Sequence, residues 1–239
     1  MINITYPIYK PSQKVIDTHL ANWRSWKKDT QRLVRVIIID DGSPEPVDIS
    51  PDFPMNLIVA RINEDIYWNV GGAQNLAHHL APKNEWVLST DIDHIVPEHT
   101  AINLSVQSDR HLDKNIAYQL TRKKNGSVYK TGPNTFFMYN QKYLDFNGYD
   151  EDLAGNGGFN DEMLKAKIRW AGMHIGKLDD IWVDLDESLS LIGTVTKKGK
   201  EINLSKWQTK IGQMRNNTYK QGNSLRFTWK IIKELKCST

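Results

Sequence analysis

The stretch Trp86-Val-Leu-Ser-Thr-Asp-Ile-Asp-His94 constrains this chain more than any other. A short apolar run ends abruptly in two carboxylates, Asp91 and Asp93, spaced by one residue. On a strand, alternate side chains share a face, so both acids can point to the same side. Acids leaving the end of a buried strand are costly unless they meet a cation. A hard divalent ion that keeps waters and also takes substrate phosphates fits that geometry. The pattern points to a metal–diphosphate site and hence to a nucleotide-linked substrate. A lone D-x-D also occurs in surface loops and caps, so its weight comes from what surrounds it. Here the acids follow a strand-like run, and His94-Ile-Val-Pro97 returns at once to apolar residues.

The surroundings alternate between strand and helix signals. Residues 2–6, 33–39, 57–62 and 86–90 read as strands, and the run LVRVIII at 33–39 reads as a central buried one. Ser12 can cap a helix whose Ile16, Leu20 and Trp23 share a face, and 71–80 is helical with Ala73, Leu76, Ala77 and Leu80 inward. Such alternation means βαβ units, a mostly parallel sheet, and ligands bound beyond the carboxyl ends of the strands. Asp40-Asp41-Gly-Ser43 occupies one of those ends and Asp91/Asp93 another. Asp40-Asp41-Gly-Ser43 alone would suit an ordinary turn. Two acidic pairs on two strands of one sheet favour a ligand more than either does singly.

The second half adds strands at 116–121 and 135–139, a turn at Lys124-Asn-Gly-Ser127, and the glycine-dense Gly155-Asn-Gly-Gly-Phe-Asn-Asp-Glu162. That glycine density implies a tight loop that something approaches closely. Asp161 and Glu162 open a helix over 161–171, where the helix dipole favours carboxylates. The dipole does not explain the glycines before them.

Composition sets limits on the rest. The 239 residues suit one large α/β domain with an extension, and the mean hydropathy of −0.54 with no long apolar run argues against a membrane-spanning chain. The N-terminus reads as the first strand of the fold rather than as a signal peptide. A single cysteine, Cys237, offers neither a disulfide nor a zinc cluster, so a reducing, cytoplasmic setting is expected. The division expected is residues 1–200 as the catalytic-type domain and 201–239 as a basic helical extension. From residue 205 onward there are eight Lys/Arg against one acid, Glu234, which leaves 23 basic and 27 acidic residues in the body. In a helix over 225–236, Leu225, Trp229, Ile232 and Leu235 would share one face and Arg226, Lys230 and Lys233 another. Such a helix either docks on the body or lies peripherally on an anionic membrane. No recognition motif accompanies the charge, so nucleic acid is not an expected partner.

Several of these segments resemble, in order, the GT-A glycosyltransferases, especially the family 2 type. Pro7-Ile-Tyr9 is similar to the family's first-strand nucleotide loop, and Ile39-Asp-Asp-Gly-Ser43 to its uridine-binding turn. Asn69-Val-Gly-Gly-Ala-Gln-Asn75 resembles its glycine-containing helix start, and Asp91-Ile-Asp93 its metal-binding D-x-D. Gly148-Tyr-Asp-Glu151 with Gly157-Gly-Phe-Asn-Asp161 resembles its acceptor-side element. The resemblance covers roughly residues 1–186. It implies a GT-A fold and a metal-dependent, inverting transfer of a sugar from a UDP- or GDP-linked donor to a glycan or other hydroxyl acceptor. It implies Mn²⁺ or Mg²⁺ on Asp93, a nucleotide-sugar site of Pro7, Tyr9, Asp41, Asn69, Gly72, Asn75 and Asp91, and Asp161 as general base.

The chain departs from the pattern in places. Asn160 stands where a Glu often precedes the base, and Gln74 where many members carry a basic residue. Trp182-Val-Asp-Leu-Asp186 lacks the histidine that often completes the metal shell, leaving Asp184, Asp186, His174 or water. Trp68 is expected near the donor, whereas His78 and His79 are expected to serve their helix end. Two competing readings are a sugar nucleotidyltransferase and an inactive GT-A domain kept for glycan binding. The first would want a glycine-rich basic loop after the first strand, and Tyr6-Pro-Ile-Tyr-Lys10 is not one. The second would be expected to lose Asp93 or Asp161, and both are present.

Overall fold

β-branched runs build the centre of the molecule. The computed structural model describes residues 1–190 and 196–237. Strands β1 (Ile2–Ile8), β2 (Val34–Asp40), β3 (Asn56–Ile62) and β4 (Trp86–Ser89) lie side by side in parallel, in the order β3-β2-β1-β4. Their side chains divide between two faces with the period of two that a strand imposes. Ile2, Ile4, Tyr6, Val34, Val36 and Ile38 pack on one side, and Ile37, Ile39, Ala60 and Ile62 on the other. Helices α1 (Gln13–Arg24) and α4 (Glu98–Arg110) cover the first face, and α3 (Val70–Leu80) covers the second. The short helix α2 (Lys28–Arg32) leads into β2.

Beyond β4 the sheet changes direction. Strand β7 (Ser127–Tyr139) pairs antiparallel with both β4 and β6 (Ile116–Lys124). Strand β8 (His174–Leu185) runs parallel to β6, and β5 (His94–Ile95) caps its end. Helices α5 (Asn140–Asp145) and α6 (Asn160–Trp170) close this half around Phe136, Met138, Tyr143, Phe146 and Leu164. The N-terminal alternation reads correctly from sequence. The length of β8 does not, because its polar residues at 177, 179 and 180 interrupt the apolar pattern.

The C-terminal segment corrects an expectation. Helix α7 (Lys197–Arg215) is present, but the run expected as an amphipathic helix over 225–236 contains strand β9 (Trp229–Leu235). It pairs antiparallel with β3 and becomes the ninth strand of the sheet, in the order β5-β8-β6-β7-β4-β1-β2-β3-β9. The reason is backbone satisfaction: without β9, β3 would present an unpaired edge. The register is fixed where the segment arrives. Thr228 N donates to Glu64 at 3.0 Å, and Asn63 N donates to Thr228 O at 3.0 Å. Phe227 then packs against the core beneath α3, and Ile232 and Leu235 pack on the opposite face. The two-faced helix that suggested membrane contact is therefore not formed. Among the described residues no helix is long and apolar enough to cross a membrane.

Since Phe227 is buried with Ala73, Leu76 and Ala77 in one cluster, Phe227→Ala is expected to cost about 3 kcal/mol of stability. Urea unfolding of the two proteins checks it. A loss below about 0.5 kcal/mol, the range of ordinary surface changes, would contradict the docked strand.

Candidate active site

The ends of the parallel strands open into a cavity of about 800 Å³. Pro7, Tyr9, Asp41, Trp68, Asn69, Asp91, Asp93 and Asp161 all line it. Of the residues expected to hold the nucleotide sugar, Gly72 and Asn75 do not. They lie behind it, and each has a definite structural task. A Cβ on Gly72 would stand 2.3 Å from Asn69 Oδ1, so the glycine gives the Asn69 side chain its place over the start of α3. From there Asn69 Nδ2 donates to Asp41 Oδ1 at 2.9 Å. Asn75 Nδ2 donates to Tyr149 O at 3.0 Å, while its Oδ1 accepts from Tyr149 N at 2.8 Å and from Tyr143 Oη at 2.7 Å. It thereby holds the turn that brings Tyr149 into the cavity.

The two acids of the first turn divide their labour. Asp40 is fully buried and accepts from Ser43 N at 3.0 Å, Val47 N at 3.2 Å and Arg61 Nη1 at 2.9 Å. It holds the loop. Asp41 faces the cavity, and its backbone N donates to Ile8 O at 2.8 Å, joining the β1 and β2 exits. Burial pushes its pKa up to about 7, against the pull of Asn69. Tyr9 and Asp65 stand beside it, with Tyr9 Oη donating to Asp65 at 3.2 Å. Gln74 reaches across the sheet. It accepts from Thr5 Oγ1 at 2.6 Å and donates to Thr90 O at 2.9 Å, tying the β4 exit to β1. A neutral amide suits that bridging task.

At the β4 exit the structure gathers Asp91, Asp93 and His94, with one ligand atom from each lying within 4.8 Å of the others. His94 is the residue that the sequence reading missed for this role. The polar donor immediately after the D-x-D was the available signal. Its Nε2 is 3.8 Å from Asp93 Oδ1, and its Nδ1 is 3.0 Å from Thr90 Oγ1. Asp91 N donates to the same Nδ1 at 3.5 Å, so Nδ1 accepts there, and only the other tautomer, with Nδ1–H donating to Thr90, would leave Nε2 a lone pair for a cation. Burial, then the charge of Arg122, pushes the imidazole pKa down to about 3, so the ring is neutral. Asp93 Oδ1 and His94 Nε2 are both buried without a hydrogen-bond partner. A buried carboxylate oxygen and a buried ring nitrogen, both without partners and gathered with Asp91, fit a divalent cation once the ring takes the tautomer that frees Nε2, since burying them empty is costly. Burial and the adjacent Asp93 raise Asp91 to about 8, with Asn134 donating to its Oδ2.

Of the other ligand candidates, Asp186 stands beside the site: its N donates to Asp93 O at 2.9 Å, while its Oδ1 accepts from Ser188 N at 3.0 Å and caps a short turn. Asp184 pairs in register with Ile95, the residue after His94. His174 begins β8, at the end away from His94, and is exposed. His78 is buried, stacked on Tyr143 with ring centroids 3.4 Å apart, and bonded to Asn140.

Asp161 reaches the same cavity from the first turn of α6. Phe159 precedes the helix with a left-handed φ of 64°, and Asn203 Nδ2 donates to Gly158 O at 3.0 Å, so the glycine loop is tethered. Burial, then Glu162, raises Asp161 to about 6, and Tyr149 Oη lies 3.5 Å from its Oδ1. A carboxylate with that pKa is mostly ionised at neutral pH and still basic enough to take a proton. The Gly148-Tyr-Asp-Glu151 turn is a hub rather than a set of ligands. Asp150 accepts from Lys210 Nζ at 2.8 Å and Glu151 accepts from Leu225 N at 2.8 Å, which anchors α7 and the C-terminal segment.

These raised carboxylates give a signed pH dependence. A free Asp titrates near ~4, so between about pH 4 and 7 unfolding releases the proton that buried Asp41 keeps. Stability of the ligand-free protein therefore falls as pH rises through that window. Asp41→Asn keeps an acceptor for Asn69 and removes the titration. It is expected to stabilise the protein by up to about 4 kcal/mol at pH 8 and to leave it nearly unchanged at pH 4. Chemical unfolding at both pH values reads this, and equal effects at the two would refute it.

The sequence matches no protein-family model and no curated protein. Solved structures do match. TarS residues 1–349 from S. aureus superposes with a TM-score of 0.61 at 18% identity, over 78% of this chain and 60% of that one. GalNAc-T7, in complex with UDP, GalNAc and Mn²⁺, gives 0.58 at 13% identity, over 77% and 43%. The mannosyltransferase PcManGT from Pyrobaculum calidifontis, with GDP-Man and Mn²⁺, gives 0.55 at 15% identity, over 92% and 65%. The chain thus spans less than two-thirds of each of these proteins. Its parallel centre, antiparallel flank and flanking helices are theirs, and the fold of this chain is GT-A.

Proposed function

We propose that the chain is a metal-dependent, inverting glycosyltransferase that moves a hexosyl group from a UDP- or GDP-linked donor to a hydroxyl of a glycan. One observation carries this reading: two orphaned buried metal-ligand atoms, on Asp93 in the cavity wall and on His94 behind it, stand at the same cavity as a raised carboxylate on a separate helix, Asp161. Structural neighbours are in complex with UDP-GlcNAc, with UDP and with GDP-Man, two of them with Mn²⁺. That agrees with Mn²⁺ or Mg²⁺ and a nucleotide sugar here.

The residues divide by position. Pro7, Tyr9 and Asp41 at the β1 and β2 exits would take the base and ribose, with Asn69 fixing the Asp41 rotamer. Half-protonated near pH 7, Asp41 can donate to or accept from a ribose hydroxyl. Asp93 and His94 would hold the divalent ion, with Asp91 beside them. Such an ion supplies charge neutralisation for a leaving diphosphate. Asp161 accepts the acceptor hydroxyl proton as that oxygen bonds to the anomeric carbon and the bond from that carbon to the diphosphate oxygen breaks. Tyr149 keeps the carboxylate in place from 3.5 Å.

A screen of UDP- and GDP-sugars, scored by Mn²⁺-dependent release of nucleotide, identifies the donor. With that donor, Asp161→Asn should lower turnover by roughly 10²–10⁴ while nucleotide affinity stays within about twofold. Near-normal turnover in the variant would move the base to Glu162 or another acid.

A further inference from the structure

The hairpin of β6 and β7 differs in charge from the domain around it. Residues 116–139 hold Arg122, Lys123, Lys124 and Lys130 and no Asp or Glu, in a body whose acids outnumber its bases. Two of these cations have partners. Lys123 Nζ sits 3.2 Å from the Trp182 ring centroid, and Lys124 Nζ is 2.7 Å from Glu187. Arg122 differs. It is only 8% exposed, its Nε is buried without a hydrogen-bond partner, and no ion pair reaches it among the described residues. Its Cζ lies 6.0 Å from the Tyr129 ring centroid, the outer limit of a cation–π contact.

A buried guanidinium with an empty fork is an expensive arrangement unless something fills it. Asp91, Asp93 and Asp161 are near enough for its charge to favour their ionised forms, yet none comes within ion-pair distance. On the function proposed above, Asp93 is committed to a cation and Asp161 to a proton. The Arg122 fork then remains for an oxyanion with two oxygens free, a carboxylate or a phosphate, which it matches in spacing and charge. The sheet order decides whose oxyanion it is. β6 lies on the far side of β4 from β1 and β2, which carry Pro7, Tyr9 and Asp41. It neighbours β8, against which α6 and its Asp161 pack. Arg122 therefore stands in the half of the sheet that carries Asp161, just outside the residues that line the cavity and away from the nucleotide.

We propose that Arg122 binds a phosphate or carboxylate carried by the acceptor, so that this protein selects an anionic glycan over a neutral one. The inference rests on the reading of Asp161 as the acceptor-side base.

The test uses the full chain in Mn²⁺, with and without UDP or GDP, and follows glucose, glucose 6-phosphate and glucuronate by ligand-observed NMR titration. Either or both anionic sugars should bind wild type at least about tenfold more tightly than glucose, as expected for charge-assisted hydrogen bonds. Arg122→Gln should abolish that preference, and Arg122→Lys should keep part of it. UDP or GDP affinity, measured separately by calorimetry, should change by less than about twofold in both variants. No preference in wild type, or a preference that survives in Arg122→Gln, overturns the proposal. A tenfold loss of nucleotide affinity in Arg122→Gln also overturns it, because the arginine would then serve the donor diphosphate. Should Arg122→Gln melt early, the wild-type comparison and Arg122→Lys decide. Failure of the wider glycosyltransferase reading is seen independently, as wild-type protein that binds neither nucleotide.

Discussion

Carboxylates buried at strand ends without matching cations are the constraint on which this site depends. Asp41, Asp91 and Asp161 are all pushed upward chiefly by burial, and Asp93 follows them. A chain folding for stability alone would not collect these acids around one cavity. Their cost is tolerable because the rest of the fold offsets it, and on the proposed function it would fall when a cation and a proton-bearing hydroxyl arrive. The site is thus strained electrostatically in the direction that would favour such binding.

Neutral amides bring those acids into position. Asn69 holds Asp41, Gln74 bridges β1 to the β4 exit, Asn75 fixes the turn of Tyr149, and Asn203 tethers the loop before Asp161. Amides can do this because they donate and accept without adding charge to a crowded field. Two glycines make the approach possible. A Cβ on Gly72 would strike Asn69, and one on Gly148, whose φ is 46°, would strike Tyr143 at 2.1 Å. Glu151 and Asp150 carry the same scaffold out to the C-terminal segment, so β9 and the site share one hydrogen-bonded frame.

Much of this was legible in the residues, for identifiable reasons. The runs of 33–39 and 86–90 are apolar and end in acids, and such patterns admit few other folds. Asp41, Asp91, Asp93 and Asp161 meet because each stands at the carboxyl end of a strand or the first turn of a helix. The C-terminal strand was not legible. In Trp229-Lys-Ile-Ile-Lys-Glu-Leu235 the apolar positions satisfy a helical period and a strand period almost equally. Only the unpaired edge of β3, a long-range fact, decides between them. Gly72 and Asn75 were placed at the ligand because the segment that carries them begins beside it; their side of α3 turns inward instead. His94 and Arg122 escaped for the opposite reason, since each sits inside an ordinary strand pattern and gains meaning only from neighbours distant in sequence.

The measurement that bears most directly on this account is calorimetric titration of UDP and GDP into the wild-type protein, once with Mn²⁺ and once with EDTA, repeated on Asp93→Ala. If the buried acids are built to receive a cation with a diphosphate, at least one nucleotide binds wild type with Mn²⁺ and loses ten-fold or more in affinity in EDTA, and Asp93→Ala binds equally weakly in both. Equal affinity with Mn²⁺ and with EDTA in the wild type would contradict it.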